Sequence, residues 1–302
     1  MGGFIILKKT PIIFFGTEDF SAVSLQKLID EGFEIGGIIT KPDSRKGRGQ
    51  KLQTPKVKQI GEKFNIPVLQ PQKISEITDF VKKFEKPAGV LVSFGRIIPQ
   101  EIIDLFTPAI VNVHPSLLPK YRGPSPIESA ILNGDTKTGV SLMKLSKEMD
   151  AGDVYSQEEI KLSETETASE LYEICGKIGA EMLVRDLPKI LSGKLKSKKQ
   201  DNSQAEYCQL LKKSDSILRP DIQTAIQAEQ QIRAFEIFPK SKITIEEYTI
   251  IIKSAEVLDH DMKKSPLTLK FADGAFLNIK TLITPTGKET TADSFINGYL
   301  KK

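Results

Sequence analysis

The rhythm of apolar and polar positions changes repeatedly between Pro11 and Gly193. Ile12 to Phe15 is an unbroken apolar run, too short for a helix and closed by Gly16-Thr17, and it predicts a buried strand. Helical spacing follows through Val23, Leu25, Leu28 and Ile29, predicting a helix over 20–29. FEIGGIIT at 33–40 reads as the next strand, 54–64 as a helix capped by Thr54 with Pro55 at its first position, and Val68 as part of a short strand. AGVLVSF at 88–94 and AIVNVH at 109–114 are further buried strands. A long helix is predicted over 165–191, with Leu171, Ile174, Ile178, Met182 and Leu183 on one side. Repeated β-α-β units of this kind build an α/β, Rossmann-like domain around a mostly parallel sheet. Ligands of such sheets sit beyond the carboxyl ends of the strands, where the loop after Thr40, the pair Phe94-Gly95 and His114 all fall.

The pattern changes after Gly193. Residues 194–210 are polar and lysine-rich and read as a basic linker between a first domain, 1–193, and a second, 211–302. The second domain opens with a helix over 222–235 and continues in strand-rich sequence. Alternation in KITIEEYTIIIKSAEVL and a hairpin signal in PLTLKFADGAFLNIKTL, with Asp273-Gly274 at the turn, predict a small OB-like β-barrel closed by a short helix over 292–300. No internal repeat is evident.

Composition narrows the class. With 302 residues, 39% hydrophobic and 27% charged, the chain suits a globular protein of two domains. The net charge of +4 is too small to imply a polyanionic partner by itself, but Lys194, Lys196, Lys198, Lys199, Lys212 and Lys213 face only Asp201 and Glu206 in the linker region. That stretch is either a solvated linker or a surface that meets phosphates. Cys175 and Cys208 form no metal-ligand or CxxC pattern, so a reducing cytoplasm and no metal are expected. The apolar start is broken by Lys8, Lys9 and Pro11 and resembles neither a membrane span nor a signal peptide, and Ile6 disfavours myristoylation at Gly2. FFGTEDF lacks the glycines of a dinucleotide site, no phosphate-binding GxxxxGK[ST] occurs, and no GxSxG surrounds Ser116.

One of only two histidines, His114, ends a buried strand. Alternate side chains of a strand share a face, so Asn112 and His114 project together before the chain breaks at Pro115 into a loop ending at Arg122-Gly123. Taken alone, such a histidine is as readily a hydrogen-bonded core residue. An imidazole beside a carboxamide at a strand end also suits acyl transfer, where one group donates to an oxyanion and another moves a proton.

The order Asn-x-His, Ser-Leu-Leu-Pro and Asp-x-Gly-Asp, here Asn112, His114, Ser116 to Pro119, and Asp150, Gly152 and Asp153, resembles the 10-formyltetrahydrofolate-dependent formyltransferases. The resemblance implies the formyltransferase fold, with 10-formyltetrahydrofolate as formyl donor. It makes Asn112, His114 and Asp150 the catalytic residues. Asn112 would donate to the oxyanion, His114 to that oxygen or to the leaving nitrogen, and the negative charge of Asp150 would favour a charged imidazole and orient a proton-accepting water. Ser116, Leu117, Leu118 and Pro119 match the folate-binding stretch, with Phe94 and Gly95 as a further wall of the slot.

The acceptor is indicated by KPDSRKGRGQKLQTPKVK at 41–58, by composition a mobile basic loop. Gly47, Arg48, Gly49, Lys51 and Leu52 resemble the loop with which methionyl-tRNA formyltransferases enter the acceptor stem, and IRAFEIFPKS at 232–241 resembles a segment of their second domain. The likeness implies methionyl-initiator tRNA as acceptor, a tRNA-binding role for 211–302, and tRNA contacts by Arg45, Lys46, Arg48 and Lys51, Arg48 foremost. A bacterial or organellar setting, no membrane and a monomer accompany it, and residues 47–49 are expected to lack one fixed position without tRNA. The chain departs from the family pattern at Glu18 for proline, Phe94 for tyrosine, Leu210 for lysine and Phe238 for tryptophan. Two other readings are an amino-sugar nucleotide N-formyltransferase, disfavoured by the Gly-Arg-Gly loop and basic linker, and a non-catalytic tRNA- or folate-binding protein, disfavoured by the intact trio.

Overall fold

Apolar runs become the strands at the centre of the first sheet, because a strand covered on both faces needs no polar side. The computed structural model describes residues 10–46, 51–258 and 265–301, without the side chains of Lys46 and Lys51. In chain order the strands are β1 (Ile12–Gly16), β2 (Ile35–Ile39), β3 (Ser44–Lys46), β4 (Lys51–Gln53), β5 (Val68–Leu69), β6 (Ala88–Val92), β7 (Ile110–His114), β8 (Lys137–Lys144), β9 (Val154–Lys161), β10 (Lys242–Ile245), β11 (Tyr248–Leu258), β12 (Thr268–Lys270), β13 (Phe276–Ile283) and β14 (Glu289–Thr291). The chain forms two compact units.

The first unit, Met1–Pro124 with Thr138–Ile160 and Tyr172–Tyr207, holds a seven-stranded sheet in the order β5-β2-β1-β6-β7-β8-β9. Its β1, β2, β5, β6 and β7 pair in parallel, and β8 joins β7 antiparallel, so the sheet is mostly parallel. Every residue of β1, β6 and β7 is buried. Phe15, Phe94 and Phe106 meet edge to face, with centroids 5.6 and 5.7 Å from Phe15, under a cluster that includes Ile13, Leu91, Ile102 and Ile110. Register fixes the site: Asn112 lies between Leu91 and Met143, and His114 opposite Ser141.

Two expected helix details differ. The helix after β4 is Lys56–Lys63 with Pro55 at its N-cap, and the Thr54 hydroxyl donates to Asp43 Oδ2 at 3.2 Å instead of capping it. The helix Ala168–Leu191 buries Leu171, Met182 and Leu183 of the expected stripe together with Cys175 and Leu187, while Ile174 is 36% exposed. Burial pushes the Cys175 thiol up to about 12, which leaves it an inert core group.

The second unit, Ser125–Lys137 with Lys161–Leu171 and Cys208–Lys302, contains the antiparallel sheet β10-β11-β13-β12, with β14 also on β13. Register shifts around Ser254 bend the long β11, and the sheet curls in the manner of a small barrel-like domain. The Asp273-Gly274 turn joins β12 to β13, with Gly274 at φ +82°. The helix Ala225–Ala234 begins with a capping box, in which Thr224 accepts from Gln227 N at 3.1 Å and Gln227 Oε1 accepts from Thr224 N at 2.9 Å. It buries Ala225, Ala228 and Ile232 among Ile250, Leu277, Ile279 and Phe295. Among the described residues, no helix is long and apolar enough to cross a membrane.

In the first unit Asp186, only 3% exposed, is bonded by Arg185, Lys189 and Ser156. Burial raises its carboxyl, but the bonds from those three residues outweigh it and hold the group at about 2, below its ordinary 3.8. A depressed carboxyl stabilises the fold above its unfolded value and loses that contribution as pH falls through the folded one. Asp186→Asn is therefore expected to lower stability by about 2 kcal/mol at neutral pH. Urea unfolding should show the gap to the parent narrowing below about pH 4; a gap independent of pH would exclude the charge as its source.

Candidate active site

Strand alternation brings Asn112 and His114 to one face at the carboxyl end of β7, and both are buried, at 5% and 4% exposure. Asp150 reaches them from the loop between β8 and β9. Its Oδ1 lies 3.5 Å from Asn112 Nδ2, and its Oδ2 lies 3.7 Å from His114 Nδ1. Oδ2 also accepts the backbone N–H of Gly123 at 2.9 Å. The opposite ring nitrogen, His114 Nε2, is 2.9 Å from the carbonyl of Tyr121. A carbonyl only accepts, so Nε2 carries the hydrogen and Nδ1 is the nitrogen that faces Asp150. Tyr121 and Asp150 both have left-handed backbones, φ +59° and +50°, which aim one carbonyl and one carboxylate at the two sides of the ring.

The loop bearing Asp150 closes by backbone pairing of Lys144 N with Asp153 O at 2.8 Å. Gly152 permits this approach, since a Cβ there would lie 1.9 Å from Lys144 O. The Ser116 to Pro119 stretch is held as tightly. Ser141 Oγ donates to Ser116 O at 2.6 Å and accepts from Leu118 N at 3.1 Å and from Gln157 Nε2 at 2.9 Å. Gln157 Nε2 also donates to Leu118 O at 2.9 Å, and Ser116 Oγ to Lys120 O at 2.6 Å. Ser116 and Leu118 are buried, and Leu117 and Pro119 half-buried. The Phe94 ring, 1% exposed, packs into the core against Phe15, and Gly95 beside it has φ +66°. A cleft of about 500 Å³ lined by Ile103, Phe106, Pro108, Lys144 and Glu148 touches the same loop at Ala151 to Asp153 but includes none of the trio.

The basic segment is an antiparallel hairpin, with Arg45 opposite Leu52 and Lys46 opposite Lys51. Arg45 is exposed, and Arg48 lies outside the described residues, as do the neighbouring positions 47, 49 and 50. The stem is clamped at Asp43. Lys58 Nζ reaches both its carboxylate oxygens at 3.2 and 3.0 Å, Gln70 Nε2 donates to Oδ1 at 2.7 Å and to Lys41 O at 2.8 Å, and Thr54 binds Oδ2 from the other arm. The Gln70 amide, then the Lys58 ammonium, hold the Asp43 carboxyl below the usual carboxylate range.

Sequence reasoning did not assign Tyr121, Arg122, Gly123, Ser141, Gln157 or Gln200 a role. Tyr121 and Gly123 act through backbone atoms, which carry no residue-type signal. Gln200 falls in the stretch read as a linker, whose four lysines are exposed as expected but whose Lys198 is paired with Val154 through two backbone bonds of 2.8 Å.

Residues 8–187 match the family model described as formyl transferase. The chain is 36% identical over 302 residues to the methionyl-tRNA formyltransferase of Sulfurihydrogenibium sp., covering 95% of this chain and 96% of that protein. It is 35% identical over 305 residues to the methionyl-tRNA formyltransferase of Lactobacillus acidophilus, covering 97% and 96%. The chain belongs to the formyl transferase family. Among solved structures it shares its fold with an N-formyltransferase from Helicobacter canadensis in complex with folinic acid and dTDP-3-aminofucose, at TM-score 0.69 and 19% identity over 89% of this chain and 98% of that one. It likewise shares it with HypX from Aquifex aeolicus in complex with tetrahydrofolic acid, at TM-score 0.67 and 16% identity over 96% of this chain and 47% of that one.

The two histidines make the ring assignment directly testable. In 15N-imidazole spectra, with His114→Asn to assign the signals, neutral His114 is expected as the Nε2–H tautomer; a neutral Nδ1–H signal would contradict the Tyr121 contact.

Proposed function

We propose that the chain transfers the formyl group of 10-formyltetrahydrofolate to the α-amine of methionyl-initiator tRNA. The observation that carries the acceptor is the likeness to methionyl-tRNA formyltransferases over 95% of the chain. The structures bound to an amino-sugar nucleotide or tetrahydrofolate are under 25% identical and support the fold alone.

Asn112, His114 and Asp150 are the catalytic residues of this reading. The amine lone pair attacks the formyl carbon, a C–N bond forms and the carbonyl electrons move to oxygen. The Asn112 amide has two hydrogens, one toward Asp150 and one for that oxyanion. With Nε2–H on the Tyr121 carbonyl, His114 works through Nδ1–H, which donates to the same oxygen. The carboxylate of Asp150 faces the ring when Nδ1 is protonated and accepts, directly or through a water, the proton that the amine nitrogen loses once its C–N bond has formed. The tetrahedral species then collapses, the bond to the folate nitrogen breaks, and that nitrogen takes the proton of His114 Nδ1–H, which the proton accepted at Asp150 replaces, as tetrahydrofolate leaves. Ser116, Leu117, Leu118 and Pro119, with Phe94 and Gly95, line the folate slot. Their hydrogen-bonded rigidity supports this, because a preformed slot loses little entropy on binding. No step uses a metal.

Arg45, Lys46, Arg48 and Lys51 form the tRNA-contacting hairpin, and 211–302 is a second tRNA-binding domain joined to the catalytic domain 1–193 through 194–210. The exposed lysines of 194–213 and the clamped hairpin stem favour this arrangement. The enzyme works as a cytoplasmic monomer.

The deciding experiment is formyl transfer to charged initiator tRNA. Asn112→Ala is expected to lower kcat by ~100- to 1,000-fold, and His114→Ala at least as far. Arg48→Ala should act mainly through tRNA-dependent efficiency. Turnover with a sugar amine and none with tRNA would move the assignment to the amino-sugar class. Salt-sensitive tRNA binding without turnover would leave a binding protein.

The stem clamp yields a separate test. Asp43→Ala frees both arms of the hairpin, so KM for tRNA is expected to rise by about 10-fold, equivalent to about 1.4 kcal/mol of lost preorganisation, with kcat and KM for folate little changed. An unchanged KM for tRNA would remove the hairpin from acceptor binding.

A further inference from the structure

The carboxamide of Gln200 is bonded on every side. Its Nε2 donates to the backbone carbonyls of Asp150 at 2.8 Å and Gly152 at 2.7 Å. Its Oε1 accepts from Arg122 Nε at 3.0 Å and Nη2 at 2.8 Å. A guanidinium only donates and a carbonyl only accepts, so the orientation of the amide is forced by its neighbours. Arg122 is 2% exposed and is held in turn by Asn202 Oδ1 at 2.8 Å and Tyr207 Oη at 3.1 Å.

Those two carbonyls belong to the turn that presents Asp150. Its left-handed backbone is a conformation that a residue other than glycine keeps only where its surroundings over-determine it. The carboxylate stands 3.5 and 3.7 Å from Asn112 and His114, so a small rotation of the turn separates them. The segment carrying Gln200 is pinned at both ends. Lys198 pairs with Val154 just after the turn, while Glu206 N donates to Pro119 O at 3.2 Å and Glu206 O accepts from Arg122 N at 2.8 Å. It therefore ties the loop of Asp150 to the loop of Tyr121, and these two residues flank the His114 ring.

We propose that Gln200, oriented by Arg122, is a positioning residue for formyl transfer: it fixes the Asp150–Gly152 turn so that the Asp150 carboxylate stays on Asn112 and His114 Nδ1. The inference rests on the catalytic reading of the trio. It assigns a kinetic role to a segment that its composition marks as a linker. Glutamate at this position keeps the shape and the acceptor for Arg122 but sets a second acceptor oxygen against the two carbonyls, so it breaks the turn side alone.

The test is a double-mutant cycle on the full chain, with single-turnover formyl transfer from 10-formyltetrahydrofolate to methionyl-initiator tRNA and steady-state constants for each enzyme. Gln200→Glu is expected to lower kcat by about 10- to 100-fold, with KM for both substrates within about two-fold of the parent. On an Asp150→Asn background the same change is expected to cost almost nothing more, because a residue acting through Asp150 has nothing left to position. Gln200→Ala is taken through the same cycle and replaces Gln200→Glu if that variant does not fold. An unchanged kcat, a loss confined to KM, or an equal loss on both backgrounds overturns the proposal. Should Asp150→Asn itself turn over as fast as the parent, the catalytic assignment of Asp150 fails. A slow Asp150→Asn beside an unimpaired Gln200→Glu sinks only the positioning role.

Discussion

Asp150 carries a carboxylate to an imidazole that is almost wholly dry, and a charge so placed is stable only where hydrogen bonds replace the water it has lost. The Gly123 amide supplies one and the Asn112 amide a longer second. The turn behind the carboxylate needs its own support, which comes from Gly152, the only residue type that allows the approach to Lys144, and from the amide of Gln200. The rest of the first unit can be traced outward from this contact: β7 places the histidine, the antiparallel β8 returns the chain to begin the loop, and Ser141 on β8 locks the Ser116 to Pro119 segment.

The two ring nitrogens have separate fates. Nε2–H is committed to a backbone carbonyl, and this leaves Nδ1 as the nitrogen that faces the Asp150 carboxylate. A neutral ring bonded to that carbonyl cannot shift to the Nδ1–H tautomer without losing the contact. The described arms of the hairpin, 44–46 and 51–53, are joined at the surface by the clamp of Asp43, Lys58, Gln70 and Thr54. Chemistry is thus buried and fixed, while the proposed acceptor contacts stand on exposed residues such as Arg45.

The strands were legible because buried parallel strands are written as unbroken apolar runs, and Asn112 and His114 because strand alternation has a period of two residues. Asp150 lies 36 positions beyond His114, so periodicity could not reach it and only the resemblance did. Thr54 was misread because a threonine before proline satisfies the capping rule, and the rule says nothing of the competing carboxylate of Asp43. Backbone donors and acceptors such as Gly123 N–H and the Tyr121 carbonyl have no residue-type signature at all. Gln200 was hidden for a different reason: lysines surround it, composition reports their solvated side chains, and the one inward amide is lost in the average.

The proposed trio does not by itself select the amine. An amide, an imidazole and a carboxylate stabilise the same tetrahedral oxyanion whichever amine attacks, so the trio cannot choose between a sugar and an aminoacyl-tRNA. Selection must reside in groups that touch the rest of the acceptor, and the binding energy they supply can be expressed at the reacting carbon only if the trio is already in place. Rigid support for Asp150 and a clamped stem for the hairpin are then two halves of one requirement. In the proposed reaction the first would keep the catalytic groups from reorganising when the amine arrives, and the second would limit the entropy lost when a large acceptor is captured.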